Sequence, residues 1–142
     1  MKLSFLFVGV QFFCISAIIL TGEIFPSDII KTILLIITAV PGLIAMYSFS
    51  FRFNIFAEIP DSHKLNTSGI YKYVRHPMYT SVILMTLLWV WNDFSLMRFI
   101  IWIILLIDMI FKLKLEERLL TVAYPEYEEY IKKTKMFIPY LY

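Results

Sequence analysis

The sequence predicts an all-α integral membrane protein, a bundle of about four transmembrane helices with a C-terminal cytosolic helical tail. Apolar residues make up 60% of the chain and its mean hydropathy is +0.76, far above what a soluble domain needs for its core. Four apolar runs are long enough, or nearly so, to cross a bilayer, which takes about 20 helical residues. These runs are Leu3 to Leu20, Ile29 to Phe51, Met78 to Trp91 and Leu96 to Phe111.

The boundaries of these runs follow from local signals. The first run comes after Lys2 but has no small-x-small cleavage pattern behind it, so we interpret it as an uncleaved span. The third run is short for a span, so it is predicted either to begin at His76 or Pro77 or to extend its aromatic end into the membrane interface. The connection Asn92 to Ser95 is short enough to require an antiparallel hairpin of the third and fourth helices, which brings His76 close to Glu116.

The residues after the fourth run are predicted to form the helical tail. The fourth helix should continue to about Ala123, and Pro125 suits the start of a new helix. Acidic residues then occupy the first turns and lysines the last, which complements the helix dipole; these residues are Glu126, Glu128, Glu129, Lys132 and Lys133. With neither a repeat nor a linker in its 142 residues, the chain is predicted to be a single domain, 1–142.

Lysine and arginine indicate the orientation, because they are retained mainly on the cytoplasmic side of a membrane. With four spans, only Lys31 and Arg98 fall on the side opposite the other cations. Both termini, the loop 52–75 and the active site are therefore predicted to be cytosolic, in a multi-pass protein of the bacterial inner membrane. The lipid bilayer is the expected partner and nucleic acid is not, and the single Cys14 cannot form an intramolecular disulfide.

Two charged clusters lie at the cytosolic ends of spans and suggest one site between them. Residues 69–79 read GIYKYVRHPMY ahead of the third span, and residues 112–117 read KLKLEE at the end of the fourth. Asp108, Lys112 and Glu116 are spaced i, i+4, i+8 and therefore share a helical face. An ionisable residue inside a span is costly and usually functional or paired. Asp108 thus either pairs with Lys112 or orients it toward a substrate head group.

Five motifs follow one another along the later part of the chain: LNTSGIY at 65–71, VRHPMY at 74–79, Glu116-Glu117, YEEY at 127–130 and Ile138-Pro139. In this order and spacing they resemble the isoprenylcysteine carboxyl methyltransferase and phospholipid methyltransferase superfamily of integral membrane enzymes. The resemblance covers about residues 55–139, which we take as the catalytic part. The first two spans are similar to the superfamily only in being hydrophobic.

The resemblance implies S-adenosylmethionine as the cofactor. The positions that match the cofactor-binding stretch are His63, Lys64, Leu65, Asn66, Tyr71, His76, Pro77, Met78 and Tyr79. Glu116 matches the acid that holds the cofactor's amino group. Lys112 falls where the carboxyl methyltransferases have an arginine that orients the substrate carboxylate. Because lysine cannot grip a carboxylate with two parallel hydrogen bonds, this departure weakens the case for a prenylcysteine carboxylate as the acceptor.

The predicted activity is methyl transfer at the cytosolic membrane face to a lipophilic or small membrane-permeant acceptor, with prenylated compounds among the candidates. Lys112 and His76 are the predicted catalytic residues, Lys112 and Asp108 the predicted acceptor-binding ones, and no metal is expected. His76 is the first candidate for a general base, which only a protonated amine or thiol acceptor would need. The alternatives are a phospholipid amine N-methyltransferase and a non-catalytic membrane subunit or small transporter.

Overall fold

The computed structural model describes residues 2–48, 65 and 67–137. The regular secondary structure of this part of the chain is helical apart from one isolated β-bridge, which confirms the predicted all-α class. The elements in order are α1 (Lys2–Leu20), α2 (Ile29–Ser48), a 3₁₀ turn (Gly69–Lys72), α3 (Pro77–Asn92), α4 (Leu96–Ala123) and α5 (Tyr127–Lys133).

Two of these helices, α1 and α2, are long and apolar enough to cross a membrane by length and composition. Their outward faces expose large apolar side chains such as Phe5, Phe13, Ile36 and Leu43. A water-soluble monomer rarely leaves so much contiguous apolar surface uncovered. The pattern is typical of helices that contact lipid.

The predicted helix boundaries agree closely with the structure. The third helix begins at Pro77, where proline's missing N–H costs nothing, and the fourth ends at Ala123 as predicted. The tail helix was expected to start at Pro125 but starts at Tyr127, with Glu126 as its N-cap residue. The predicted end of the second run, Phe51, lies outside the described residues.

The core lies where α1 and α4 pack together beside α3. It is formed by Cys14, Ile18, Val90, Trp102, Leu105 and Met109. The indole nitrogen of Trp102 donates to the Ile83 carbonyl at 3.2 Å, which joins α4 to α3 inside the hairpin. This contact fixes the rotation of α4 relative to α3, and therefore fixes which side chains of α4 face the start of α3.

Helix α2 packs against α3 through a close backbone contact. Pro41 interrupts the hydrogen bonds within α2, and the N–H of Gly42 donates to the Ser81 Oγ at 2.7 Å. A Cβ at Gly42 would lie only 2.9 Å from the Ser81 Cβ, so a larger residue would push the two helices apart.

Arg98 ties the end of α1 to the hairpin on the side opposite the charged clusters. Its side chain is 2% exposed, donates from Nη2 to the Ile18 carbonyl at 3.1 Å and from Nη1 to the Asp93 carbonyl, and packs against Gly22. A cation near a helix C-terminus is stabilised by the unpaired carbonyls there. Arg98 therefore has a structural reason to lie on the side where the orientation rule expects few cations.

Candidate functional site

The candidate site lies where the start of α3 meets the end of α4, and the C-terminal segment 124–137, here called the C-terminal strap, covers it. The strap runs beside the residues before α3: the Arg75 N–H donates to the Lys135 carbonyl at 2.8 Å, and the Lys135 N–H donates to the Tyr73 carbonyl at 3.1 Å. The His76 N–H continues this pairing with the Met136 carbonyl at 3.2 Å. The strap is thus bonded to the backbone of the very motif that the sequence singled out.

The turn ahead of this motif is also bonded to the strap. Gly69 has a φ of 59°, a left-handed conformation that glycine takes without strain, and it begins the 3₁₀ turn that carries Tyr71. The Tyr130 hydroxyl of α5 donates to the Tyr71 carbonyl at 2.5 Å. Burial raises the pKa of the Tyr130 hydroxyl to about 12, so it remains a donor at neutral pH.

Arg75 connects the end of α4 to the strap. Its Nε donates to the Glu117 Oε1 at 2.8 Å, while its Nη1 donates to the Thr134 carbonyl at 2.6 Å and the Ile131 carbonyl at 3.2 Å. The side chains of Arg75 and Glu117 are only 7% and 15% exposed. A single guanidinium thus holds both Glu117 of α4 and the last turn of α5.

His76 lies at the N-cap of α3 and is 5% exposed. Its Nε2 is 3.2 Å from the same Glu117 oxygen that Arg75 binds. Burial of Glu117 opposes its ionisation, but hydrogen bonds from His76 and Arg75 and their charges outweigh burial, so the pKa of this carboxyl lies below its usual value. The predicted hairpin placed His76 close to Glu116, and the direct partner of His76 is the neighbouring Glu117.

Glu116 has different surroundings from its neighbour. The Tyr79 hydroxyl donates to the Glu116 Oε2 at 2.7 Å, and Glu116 forms no ion pair with any residue in the described part of the chain. Its carboxylate is half-buried and is contacted by a neutral donor. The negative charge of Glu116 therefore remains available to a ligand.

Lys112 and Asp108 lie farther along the same face of α4, and both are buried. The Lys112 ammonium donates to the Gln11 Oε1 of α1 at 2.8 Å and lies 5.5 Å from the centre of the Tyr79 ring. Within residues 2–48, 65 and 67–137, Asp108 forms no ion pair, and its buried Oδ2 has no hydrogen-bond partner. The predicted pairing of Asp108 with Lys112 is therefore not a direct ion pair, although the charge of each residue acts on the other.

The other residues predicted for the site fall into two groups. Tyr71 and Pro77 are buried, and Leu65 and Met78 are half-buried. Burial, with smaller effects from Tyr130 and Glu116, raises the pKa of the Tyr71 phenol. His63, Lys64 and Asn66 lie outside the described residues, and across the described ranges no group of three His, Cys, Asp or Glu side chains could hold a metal.

The sequence prediction left two residues of the site, Arg75 and Glu117, without a defined partner and did not include a third, Gln11. Arg75 and Glu117 form the ion pair at its centre, and Gln11 reaches it from α1. Gln11 carries one usable signal, because it is a polar amide inside a predicted span. Nothing local to α1 indicates that its partner is Lys112, 101 positions later.

The sequence was compared with models of known protein families, with curated proteins and with solved structures. The family model described as the isoprenylcysteine carboxyl methyltransferase family matches residues 29–122, which is more than half of the chain. The matched range contains α2, α3, the RHPxY motif and almost all of α4, including both glutamates. Comparisons with curated proteins and with solved structures gave no significant match.

Proposed function

This chain belongs to the isoprenylcysteine carboxyl methyltransferase family, and from that premise we propose that it transfers a methyl group from S-adenosylmethionine to a lipophilic or small membrane-permeant acceptor. Membership indicates a membrane methyltransferase, and members of the family use S-adenosylmethionine as the methyl donor. The acceptor and the cytosolic position of the site are the further parts of the proposal.

The observation that carries the proposal is the Glu116 carboxylate. S-adenosylmethionine presents an ammonium, a carboxylate and a sulfonium, so its site needs an acid with an uncompensated charge beside aromatic walls. Glu116 meets this need best, because among the described residues it accepts a hydrogen bond from the neutral Tyr79 hydroxyl and forms no ion pair within 4 Å, although the Lys112 charge acts on it from farther away. Glu117 does not, because Arg75 and His76 already neutralise it. The residues present therefore fit the cofactor.

We assign the remaining contacts from the family motif and the geometry together. Glu116 would hold the ammonium of the cofactor, and aromatic and apolar side chains would form the wall; these are Leu65, Tyr71, Pro77, Met78 and Tyr79. The resemblance adds contacts from His63, Lys64 and Asn66, largely through their backbone groups. The bound cofactor supplies an electrophilic methyl group. The chain has to position the acceptor in line with that methyl and exclude water, which together account for most of the rate in such a displacement.

His76 has a defined partner in this arrangement. Its Nε2 faces the Glu117 carboxylate at 3.2 Å, and its ring meets the Tyr79 ring edge-on at 5.6 Å between centroids. This geometry supports a role in holding Tyr79, and through Tyr79 the Glu116 carboxylate. We propose that positioning is the main contribution of His76, and that it is the first candidate base if the acceptor proton has to leave toward the cytosolic side.

The proposed topology has four spans, with α3 and α4 crossing the membrane as an antiparallel pair and both termini in the cytosol. Exposed apolar side chains on these two helices support it, among them Trp91, Phe99, Ile104 and Phe111. The distribution of lysine and arginine supports the orientation. S-adenosylmethionine is made in the cytosol, so this orientation is also the one that gives the site access to its cofactor.

Cysteine labelling tests the topology. In a Cys14→Ser background, we expect Phe94→Cys to react with a membrane-impermeant thiol reagent on intact cells, because residue 94 lies in the outer connection between α3 and α4. Lys135→Cys should react only after the membrane is permeabilised. The reverse pattern would place the site on the side without cofactor and would contradict the proposed orientation.

The activity itself is tested with the purified full-length protein. We expect it to bind S-adenosylhomocysteine in detergent and to transfer a labelled methyl group from S-adenosylmethionine to a component of a host lipid extract, identified by mass spectrometry. A non-catalytic subunit or a small transporter has no reason to bind this product. Absence of binding would therefore favour that alternative and overturn the proposed function.

A further inference from the structure

We propose that Asp108, Lys112 and Gln11 form the site for the acceptor head group, and that this site takes a lipophilic primary amine rather than a carboxylate. The inference rests on the proposed function and adds the substrate class to it. It is carried by the contacts of three polar side chains on the faces of α1 and α4 that meet inside the helical bundle.

Asp108 supplies the first argument. The residue is 7% exposed, and among the described residues its Oδ2 is buried with no hydrogen-bond partner. Leaving a buried polar atom unpaired costs free energy, and the cost is larger for a charged group. A ligand that donates a hydrogen bond to Asp108 would remove this cost, whereas a ligand carboxylate would add a like charge beside it.

Lys112 supplies the second argument. A lysine that binds a substrate carboxylate should be free to point its ammonium at it, but this ammonium already donates to the Gln11 Oε1 at 2.8 Å and lies over the Tyr79 ring. Gln11 thus occupies the Lys112 ammonium, which forms no ion pair with Asp108 among the described residues although the two charges act on each other. The Asp108 Oδ2 therefore stays open to a hydrogen bond from a ligand. The fixed charge of Lys112 also disfavours a second ammonium nearby, so the bound amine loses a proton to become the neutral nucleophile.

The position of the three residues supplies the third argument. On α4, Asp108 lies two helical turns from Glu116, about 12 Å along the axis, and Lys112 lies between them. The cofactor ammonium is assigned to Glu116, so a head group held at Asp108 approaches from the membrane side. An acceptor with an apolar chain would reach this point from the bilayer.

The reaction balances with the groups named. The acceptor ammonium gives one proton to the Asp108 carboxylate, and the freed nitrogen lone pair attacks the methyl carbon. A carbon–nitrogen bond forms while the carbon–sulfur bond breaks, and its electron pair returns to sulfur to give the neutral thioether of S-adenosylhomocysteine. The product leaves as a methylammonium, and Asp108 releases its proton to solvent before the next turnover.

Matched acceptors that differ only in the head group test the inference. The full-length protein in lipid nanodiscs, saturated with S-adenosylhomocysteine, is titrated with dodecylamine and with dodecanoic acid, and protein-free nanodiscs give the background. We expect the amine to bind at least about tenfold more tightly than the acid, as a charge-assisted hydrogen bond implies. With S-adenosylmethionine in place of the product, the amine should be methylated faster than the acid.

Variants of Asp108 and Gln11 then test whether these side chains cause the preference for the amine over the acid. Asp108→Asn should lose about tenfold or more in amine affinity and keep its affinity for S-adenosylhomocysteine, and Asp108→Glu should recover part of the loss. Gln11→Leu should lower the ratio of amine to acid affinity, because it frees Lys112 to pair with Asp108 or with the acid. Asp28→Asn is the matched control, since Asp28 is exposed at the start of α2 and lies away from the site.

The results of these experiments distinguish a failure of the proposed amine preference from a failure of the proposed methyltransferase function. Equal or tighter binding of dodecanoic acid, or an unchanged amine affinity in Asp108→Asn, would overturn the amine assignment while leaving a methyltransferase in place. Loss of S-adenosylhomocysteine binding by the unmodified protein would overturn the proposed function instead. If Asp108→Asn does not fold, the comparison of amine with acid on the unmodified protein decides.

Discussion

Replacing Glu116 by glutamine is expected to lower the affinity for S-adenosylhomocysteine by about ten to a hundredfold while the fold stays intact. Glutamine keeps the volume of the side chain and an oxygen that can accept from the Tyr79 hydroxyl, now 2.7 Å from the Glu116 Oε2. It removes the negative charge that we assign to the cofactor ammonium. A hydrogen bond to a charged group is worth about 1.5 to 3 kcal/mol, which sets the expected range. Titration calorimetry in detergent measures the affinity directly.

The control for this variant is Glu128→Gln on α5. Glu128 is exposed, so its substitution removes the same charge from the protein without touching the site. Its affinity for S-adenosylhomocysteine should equal that of the unmodified protein. If Glu116→Gln also binds with unchanged affinity, Glu116 does not hold the ammonium and the cofactor assignment fails at its central residue.

Sequence reasoning predicted the helices well because their boundaries depend on local signals. Hydrophobic runs define the bodies of α1 to α4, and Pro77 fixes the start of α3, because proline suits the first helical turn. The start of α5 was misplaced by two residues, since Tyr127 begins the helix and Pro125 only precedes it. Proline restricts the backbone around it but does not by itself choose the first helical residue.

The partners within the site were harder to predict, because they depend on how α4 is rotated about its axis. Adjacent helical residues point about 100° apart, so Glu116 and Glu117 cannot face the same group. The sequence left the role of Glu117 open, and the structure gives it to Arg75 and His76. Long-range packing such as the contact of Trp102 with Ile83 sets this rotation, and no local motif encodes it.

The C-terminal strap likewise has a helix that local sequence predicts and a position that depends on contacts with distant residues. Its helix was predicted from charge and spacing, which leave open whether the apolar face of the helix lies on the membrane or caps the site. In the structure Tyr127 and Tyr130 are buried, 1% and 9% exposed, and the strap bonds to the backbone ahead of α3. The capping alternative is therefore the one that the structure supports.

Replacing Arg75 by methionine is expected to release the C-terminal strap and to make it at least about a hundredfold more sensitive to trypsin. The substitution removes the donors to the Thr134 and Ile131 carbonyls and leaves Glu117, whose side chain is 15% exposed, without its closest cation. Breaking a buried ion pair by removing one partner costs about 3 to 5 kcal/mol, and proteolysis follows the population of the open form. Cleavage after Lys132, Lys133 and Lys135 in detergent reports the opening.

The effect of Arg75→Met on the rate of trypsin cleavage should also depend on pH, and the direction of that dependence follows from the pKa of Glu117. The pKa of Glu117 is lower in the folded protein than its ordinary value, because the bonds to His76 and Arg75 outweigh the effect of burial. A lowered carboxyl pKa contributes stability above the ordinary pKa, and this contribution is lost as the pH falls through the lowered value. The difference in cleavage rate between Arg75→Met and the unmodified protein should therefore narrow on acidification.

The exposed ion pair on α5 provides the matched control for Arg75. Lys133 and Glu129 are 3.6 Å apart with side chains 75% and 76% exposed, and such pairs contribute little to stability. Glu129→Gln should leave the cleavage rate nearly unchanged, although Glu129 is far closer to the cleaved bonds in sequence than Arg75 is. Equal effects of the two substitutions would mean that the strap is held by its own helix and not by Arg75. An unchanged rate in Arg75→Met would exclude the guanidinium as the element that keeps the strap over the site.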